Sequence, residues 1–360
     1  MFIKIKVDHI IVGQGLAGSC LAIQLLNRGK KIMVFDEPEK NRASKVAAGL
    51  FNPITGKRMT KSWMADEIFP YLFQFYSAGE KFLNKKFFYP ASIYRPFVSI
   101  EEQNEWMALS AENGLKKFID KIFISSAYDQ ANDSFGGVLT KQSGYLDVNS
   151  FMQAVVSLLI EENAYRESNF DYNSLKISSD ILQYEKIEAS SIVFCDGIRV
   201  NSNPFFSWLP VRSLKGETLS VSLEEKPGAI FNRGVYLVPT NQDNSFIAGA
   251  TYQPNDIGEM TSTKARNELE DKLRALVRIP FTVNHQNWGI RPTTPDRRPI
   301  LGAHPIHKNM IALNGLGTKG VSLAPYFSAQ LAEWMGGKAE IQNEVNIERF
   351  KPLYSKLSSL

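Results

Sequence analysis

At the start of the chain, a short apolar run is followed by apolar residues at helical spacing and then by a second apolar run. His9–Val12 is a short apolar run, typical of a buried parallel strand, and it leads directly into Gly13-Gln14-Gly15-Leu16-Ala17-Gly18. Apolar residues then recur at helical spacing as far as Leu26, and Gly29 follows as a C-terminal cap would. A second apolar run covers Lys31–Phe35. The pattern predicts a strand–helix–strand unit.

The glycines of this unit have separate physical roles. Gly13 permits a tight strand-to-helix turn, Gly15 lets a pyrophosphate approach the backbone, and Gly18 allows the helix to pack closely on the strand. An acidic residue at the tip of the second strand can bind a ribose, although it is also compatible with a solvated strand end. The predicted dinucleotide-site residues are Gly13, Gly15, Leu16, Ala17, Gly18, Asp36 and Glu37.

Two later segments repeat the order of a strand followed by glycine. Ser191–Cys195 leads into Asp196-Gly197, and Asn309–Leu313 leads into a glycine-rich turn and a terminal amphipathic helix. A second helix N-terminus suits a long cofactor whose ring becomes negatively charged, which favours FAD over NAD. The alternative is a simple tight turn. The cofactor residues predicted here are Gly197, Gly315, Gly317, Thr318, Lys319 and Gly320.

Composition narrows the class of protein. The chain has 360 residues, 44% of them hydrophobic, with a net charge of +4 and no basic block, so a surface for tRNA is neither indicated nor excluded. The apolar segment Phe151–Ile160 is too short to span a membrane, and the N-terminus does not read as a signal peptide. A cytoplasmic location is expected.

Cysteine and histidine usage gives no sign of a metal site. Cys20 and Cys195 stand far apart in apolar segments, as expected of buried, reduced thiols. The spacing of His304 and His307 suggests a pair of metal ligands, but a proline-flanked turn surrounds it. We therefore predict no metal.

Several further segments complete the series in order. Taken together they resemble the D-amino-acid oxidase-like (DAO) family, which includes glycine oxidase, sarcosine oxidase and the FAD domain of a tRNA-modifying carboxymethylaminomethyl-uridine enzyme. The segments that carry the resemblance are Ser44–Gly49, Gly144–Asp147, Asn169-Phe170, Pro210–Glu217, Val235–Pro239, Ile247–Thr251 and Trp288–Pro292 with Pro299–Gly302.

The resemblance implies roles for individual residues. Ser44, Ala48 and Gly49 would follow the pyrophosphate toward the flavin, and Phe170 would lie at the adenine. Tyr236 would line the substrate pocket, and Arg291 would bind the substrate carboxylate, as a planar guanidinium can with two charge-assisted hydrogen bonds. The alternatives are a core tyrosine and a structural salt bridge. No cysteine stands near Arg291 or in the terminal segment, so FAD is predicted to bind non-covalently.

The implied architecture is α/β, with an α+β substrate lobe. A Rossmann-like FAD-binding domain (residues 1–85, 144–205 and 286–360) would be interleaved with a mixed-sheet substrate-binding domain (residues 86–143 and 206–285). Trp63–Leu83 is predicted to form an amphipathic helix whose aromatic stripe belongs to the core.

The function implied is oxidation of a C–N bond in an amino acid or secondary amine, by hydride transfer to flavin N5. The electron acceptor would be oxygen or another oxidant. One alternative is a tRNA-modifying flavoenzyme that acts on a carboxylate-bearing secondary amine, and another is a flavin-binding module without turnover. The basic loop Asn52–Arg58 is compatible with a larger anionic substrate or with a solvated turn.

Overall fold

The computed structural model describes residues 4–37, 42–55, 60–111, 114–178 and 181–357. The described helices are α1 (Leu16–Leu26), α2 (Ala43–Val46), α3 (Ala65–Leu83), α4 (Ile100–Ser110), α5 (Val148–Glu161), α6 (Thr263–Leu276), α7 (Gly320–Met335) and α8 (Lys351–Leu357). The described strands are β1 (Ile5–Val12), β2 (Ile32–Asp36), β3 (Leu50–Phe51), β4 (Ile54–Thr55), β5 (Thr60–Lys61), β6 (Phe88–Pro90), β7 (Ile93–Pro96), β8 (Ile119–Phe123), β9 (Gly137–Thr140), β10 (Gly144–Leu146), β11 (Tyr165–Glu167), β12 (Leu175–Ile177), β13 (Leu182–Tyr184), β14 (Ile187–Phe194), β15 (Arg212–Leu223), β16 (Ile230–Asn232), β17 (Tyr236–Pro239), β18 (Ser245–Gly249), β19 (Gln253–Pro254), β20 (Phe281–Thr293), β21 (Ile300–Ala303) and β22 (Met310–Asn314).

The predicted strand–helix–strand unit is present as β1, α1 and β2. Strand β1 pairs in parallel with β2 on one side and with β14 on the other, and β11 extends the sheet beyond β2. The C-terminal half of β14 pairs in parallel with β22, so the two predicted late strands follow β1 in the order β1, β14, β22. The carboxyl ends of these parallel strands therefore meet at one edge, where open α/β sheets bind ligands.

Alternation along these strands explains why both faces of the first sheet are buried. Ile11 and Val193 pack on one side, into a core shared with α1, α5 and α7, whereas Ile10 and Ile192 pack into a second core on the other side. Successive side chains of a strand point to opposite faces, so a parallel sheet covered on both faces needs continuous apolar runs. The continuous apolar runs in the sequence therefore supply buried side chains to both faces of this sheet.

A second, nine-stranded sheet carries the other half of the architecture. Its long strands β15 and β20 pair antiparallel from Arg212↔Thr293 to Leu223↔Phe281, and β15 also pairs with β18 and β19. The sheet continues through β17, β16, β7, β9 and β8. Strands β17 and β18, which overlap two of the segments that carry the family resemblance, pair antiparallel with Tyr236 opposite Gly249.

Smaller elements connect the two sheets. Strand β10 pairs with β3 and β6, and Asp147 after it caps α5 by accepting a hydrogen bond from the Ser150 amide at 3.0 Å. The predicted aromatic helix is α3, whose buried side chains belong to the core around α7. Among the residues that the structure describes, no helix combines the length and the apolar character needed to cross a membrane. The fold is mixed α/β, as predicted.

Candidate active site

One large cavity joins the two sheets. It has a volume of about 1160 Å³, more than most pockets for drug-sized ligands, and it extends from the Gly13 turn to the face of the second sheet. Sixteen of the predicted site residues line it: Gly13, Gly15, Leu16, Ala17, Asp36, Glu37, Ser44, Ala48, Gly49, Phe170, Gly197, Tyr236, Arg291, Gly317, Thr318 and Gly320. Gly18, Gly315 and Lys319 are predicted residues that do not line it.

The glycine turn after β1 has no room for side chains. Gly13 has φ +97°, and a Cβ there would lie 2.6 Å from the Cys195 carbonyl oxygen. A Cβ on Gly18 would lie 1.9 Å from the Gly13 carbonyl oxygen, so helix α1 meets the turn backbone to backbone. Gly18 thus acts through packing behind the cavity. The helix N-terminus it positions presents backbone N–H groups to the cavity, which is the arrangement that binds phosphates.

Asp36 ends β2 beside this turn and is almost fully buried. Its Oδ1 accepts hydrogen bonds from the Gln14 amide at 2.7 Å and from Arg42 Nη1 at 2.5 Å. No other described residue donates to the Asp36 carboxylate, so Oδ2 keeps its capacity for a ligand hydroxyl. Arg42 was not predicted from the sequence, because it precedes α2 and belongs to no periodic pattern.

The wall beyond Asp36 is partly aromatic. Phe170 stacks on Tyr184 with ring centroids 4.1 Å apart, and it meets Phe35 edge to face. Glu37 pairs with Arg199 at 2.9 Å. An apolar wall next to a buried acid has the chemistry to accept an adenine ring.

Asp196 lies where β14 ends and was also missed as a site residue. Its carboxylate accepts hydrogen bonds from the Asn203 and Asn314 side chains, each at 2.9 Å. Burial raises the pKa of Asp196 to about 6, and the bond from Asn203 opposes that shift. The parallel pairing of β14 with β22 places Asn314 beside it, and the sequence predicted both strands but not their pairing.

The glycine-rich turn after β22 leads into α7. Gly315 and Gly317 both have positive φ, +72° and +56°, which few other residues adopt. Lys319 stands at the start of the helix, and its Nζ donates to Thr55 Oγ1 at 3.1 Å and to Ser62 Oγ at 3.0 Å. Burial lowers the pKa of Lys319, and Arg298 and Arg297 contribute in the same direction. The Lys319 ammonium is therefore held by hydroxyl groups of the β4–β5 hairpin.

Arg291 projects from β20 over β15. A Cβ on Gly216 would lie 2.1 Å from Arg291 Nη1 and 2.4 Å from Cζ, so the guanidinium lies flat on the glycine. Among the described residues, Arg291 donates one long hydrogen bond, from Nη1 to the Thr251 carbonyl oxygen at 3.5 Å. Burial lowers the pKa of Arg291, and no carboxylate within the described ranges pairs with it. The structural salt bridge considered from the sequence is absent among the described residues.

Tyr236 faces Arg291 from β17. A Cβ on Gly249 would lie 2.8 Å from the Tyr236 hydroxyl oxygen, so a second glycine keeps space for this ring. Burial raises the pKa of Tyr236, and the positive charge of Arg291 opposes that change. The hydroxyl is therefore protonated at neutral pH and can donate a hydrogen bond. Together the two side chains can hold a carboxylate against the sheet.

The remaining predicted features are the two cysteines, the histidine pair and the basic loop. Cys20 and Cys195 are buried free thiols, and burial raises the pKa of Cys195 well above its ordinary value. Within the described ranges no group of three His, Cys, Asp or Glu residues could hold a metal. His304 and His307 stack with ring centroids 5.2 Å apart. Of the basic loop, Gly56, Lys57 and Arg58 lie outside the described residues.

The donor set fits FAD. A glycine turn without room for side chains, the first residues of α1, the buried Asp36 and the aromatic ring of Phe170 line one continuous cavity. Residues 8–334 match the profile of the family described as DAO: FAD dependent oxidoreductase. The chain belongs to this family. It is an FAD-dependent oxidoreductase of DAO type, and the family resemblance stated from the sequence is confirmed.

Two curated relatives are similar over most of this DAO chain. YurR of Bacillus subtilis, an uncharacterized oxidoreductase, is 23% identical over 379 residues that cover 96% of this chain and 98% of YurR. The bifunctional protein MnmC of Legionella pneumophila, named for tRNA 5-methylaminomethyl-2-thiouridine biosynthesis, is 25% identical and is matched by 94% of this chain. The chain spans only about half of that relative, with 54% of it covered.

Solved structures confirm the fold. Glycine oxidase from Geobacillus kaustophilus superposes with a TM-score of 0.77 at 17% identity, covering 94% of this chain and 96% of that one. Iminodiacetate oxidase from Chelativorans sp. gives a TM-score of 0.75 at 17% identity, covering 95% and 98%. At this level of identity the likeness concerns the DAO fold alone.

Proposed function

We propose that this DAO enzyme oxidises a C–N bond of an amino acid or a secondary amine that carries a carboxylate. The observation that carries the proposal is Arg291, a largely buried guanidinium on the cavity wall without a carboxylate partner among the described residues. A buried cation is costly unless an anion pairs with it, so the site is incomplete until a ligand carboxylate arrives.

The residues of this chain would bind and orient the substrate. Arg291 would hold the carboxylate, the Tyr236 hydroxyl would donate to it, and Gly216 and Gly249 would keep the space that both need. FAD, when bound, supplies the two-electron oxidant that accepts the hydride from the α-carbon at N5. The amine nitrogen gives up a proton, and the resulting imine is hydrolysed by water. Orientation and exclusion of solvent are the contributions expected of the protein.

Non-covalent binding of FAD is part of the proposal. Cys195 lines the cavity, but it is buried at the Gly13 turn and its raised pKa keeps the thiol protonated and unreactive. We propose further that oxygen or another oxidant takes the electrons, and that the two buried thiols suit a reducing, cytoplasmic location.

We also propose a domain division close to the predicted one. The strands of the first sheet come from residues 5–36, 165–194 and 300–314, and those of the second from residues 93–140 and 212–293. Strand β20 pairs with β15 over its whole length, so we place the last boundary after Thr293 instead of at residue 286.

Anaerobic reduction tests the proposed reaction. Addition of an amino acid from a panel of glycine, sarcosine, D-alanine, proline and iminodiacetate should bleach the flavin absorbance of the holoenzyme. The Arg291→Ala variant should retain FAD but lose about a hundredfold or more in apparent affinity, because charge-assisted hydrogen bonds contribute about 1.5–3 kcal/mol each. Arg266→Ala is the matched control, since Arg266 lies on α6 and pairs with Glu270. An unchanged affinity in Arg291→Ala would remove the carboxylate assignment.

A second candidate is oxidation of a carboxylate-bearing secondary amine attached to tRNA. The observation that favours it is the match of 94% of this chain to about half of MnmC. RNA that copurifies with the enzyme, and tRNA binding that weakens steeply with salt, would support it. Turnover of free amino acids without measurable tRNA binding would contradict it.

A further inference from the structure

Two further arginines line the cavity at a distance from Arg291. Arg95 lies on β7 and Arg233 follows β16, and neither was predicted from the sequence. Both pair with Glu102 of α4, Arg95 Nη2 at 3.3 Å and Arg233 Nη1 at 2.8 Å. Arg95 and Arg233 are called the distal arginine pair below.

The distal arginine pair has more positive charge than its surroundings neutralise. One carboxylate, Glu102, serves two guanidinium groups, which leaves an excess of one positive charge at three largely buried side chains. Arg95 Nε is buried without a hydrogen-bond partner in the described part of the chain. Burial lowers the pKa of Arg95, and the charge of Arg233 lowers it further. Such a cluster is stabilised when an anion binds.

Several donors of the pair remain uncommitted. To acceptors within the described ranges, Arg95 donates only through Nη2, to Glu102, and Arg233 only through Nη1, to Glu102 and to the Pro96 carbonyl oxygen at 2.8 Å. The other guanidinium N–H groups have no acceptor among the described residues. Two forked donors on a cavity wall match the geometry of a carboxylate or a phosphate.

The strand order sets the distance to Arg291. Arg291 lies on Gly216 of β15, and the strands β18, β17 and β16 separate β15 from β7, which carries Arg95. Neighbouring strands are about 4.8 Å apart, so four such steps place these two strands roughly 19 Å apart across the sheet. Tyr236 and Asn232 line the cavity between them. Glycine or sarcosine would occupy only the end at Arg291.

We propose that the substrate is an elongated molecule with two anionic ends. Its amino-acid carboxylate binds Arg291, and a second carboxylate or a phosphate at the other end binds the distal arginine pair. The inference rests on the proposed function, because it takes Arg291 as the site of the substrate carboxylate. It adds a second anchor, which selects substrates by length and charge.

Ligand length provides the test. Holoenzyme would be titrated with linear dicarboxylates from succinate to dodecanedioate, with monocarboxylates of equal carbon number, and with phosphonocarboxylates of equal length, following the flavin absorbance. A diacid of spanning length should bind about tenfold more tightly than its monoacid, as expected when one hydrogen-bonded charge is added. If the phosphonocarboxylate binds more tightly than the dicarboxylate of equal length, the distal group of the substrate is a phosphate. If the two bind with comparable affinity, it is a carboxylate.

Two variants distinguish a specific role of the distal arginine pair from a general loss of structure. Arg233→Gln should reduce the advantage of the long diacid and leave monoacid binding unchanged. Glu102→Gln should increase the preference for the long diacid over the monoacid, because it removes a negative charge that competes for the two arginines. The glutamine amide oxygen can still accept the hydrogen bond from the Val98 amide, which lies 3.0 Å from the Glu102 carboxylate. Structural damage would not tighten binding of the long diacid, so Glu102→Gln tests the distal arginine pair even if Arg233→Gln fails to fold. Arg266→Gln is the charge-matched control.

The outcomes distinguish the two proposals. Monoacid binding that depends on Arg291, with no diacid advantage at any length, would overturn the elongated dianionic substrate and leave the proposed function intact. Monoacid binding that is equal in the wild type and in Arg291→Ala would overturn the proposed function itself. A length optimum that is unaffected by Arg233→Gln and by Glu102→Gln would also overturn the role of the distal arginine pair.

Discussion

Replacing Gly216 by alanine isolates the support beneath Arg291. The new Cβ would lie 2.1–2.4 Å from three atoms of the guanidinium, whereas ordinary contact begins near 3.4 Å. Gly216 lies within β15, opposite Gly289, where alanine meets no backbone constraint. The clash involves the end of a flexible side chain, so the fold should survive while Arg291 moves by more than about 1 Å.

The size of the effect follows from that displacement. Charge-assisted hydrogen bonds between guanidinium and carboxylate groups are about 2.7–2.9 Å long, and a movement of 1 Å breaks them. Misplacement by about 1 Å costs roughly a hundredfold in rate, or about 2.7 kcal/mol of transition-state stabilisation. We therefore expect kcat/KM of Gly216→Ala to fall about a hundredfold, with normal FAD content.

Stopped-flow flavin reduction with the amino acid that proves active would measure this loss. Gly289→Ala is the matched control: it is the paired residue on β20, and its Cβ would meet neighbours at an ordinary 3.4 Å. The control should keep its rate within about threefold. Equal losses in the two variants, or an unchanged kcat/KM in Gly216→Ala, would refute the positioning of Arg291 by Gly216.

Two further predictions concern stability. The pKa of Asp196 rises from 3.8 to about 6 on folding, so this group lowers the free energy of unfolding by at most about 3 kcal/mol as the pH increases from about 4 to 6. Asp196→Asn should abolish this pH dependence in thermal unfolding curves, and an unchanged dependence would contradict the prediction. Glu217 is fully buried and accepts from Ser262 and Gln286 with Lys215 3.9 Å away, so Glu217→Ala should cost about 3–5 kcal/mol in urea unfolding. Glu217→Gln, which keeps an acceptor, should cost less, and equal losses would argue against the network.

The first strand–helix–strand unit could be predicted because its signal is local. Apolar periodicity and glycine spacing are set within a few residues, and β1, α1 and β2 formed where the pattern placed them. The same holds for the strands before Gly197 and Gly315. Each of these elements is identified by its own residues, whatever lies next to it in space.

Contacts between distant segments could not be read in this way. Gly216 belongs to a motif seen in the sequence, but its role depends on the register that brings Arg291 over it. The distal arginine pair joins segments 131 residues apart through Glu102 and Arg233. Lys319 was predicted at the cofactor because it follows the glycine turn, yet its ammonium binds hydroxyl groups of another hairpin. Periodicity reports which face is buried, but not what covers it.

The parallel neighbours β1, β14 and β22 also determine when the cavity can form during synthesis. Adjacent strands of one sheet are drawn from the start, the middle and the end of the chain. Contacts of such wide sequence separation slow folding, since the loops between them must close first. The nascent chain therefore cannot complete this cavity until the strand ending at Asn314 has left the ribosome, and a ligand that fills it would stabilise the contact between the Gly13 and Gly317 turns.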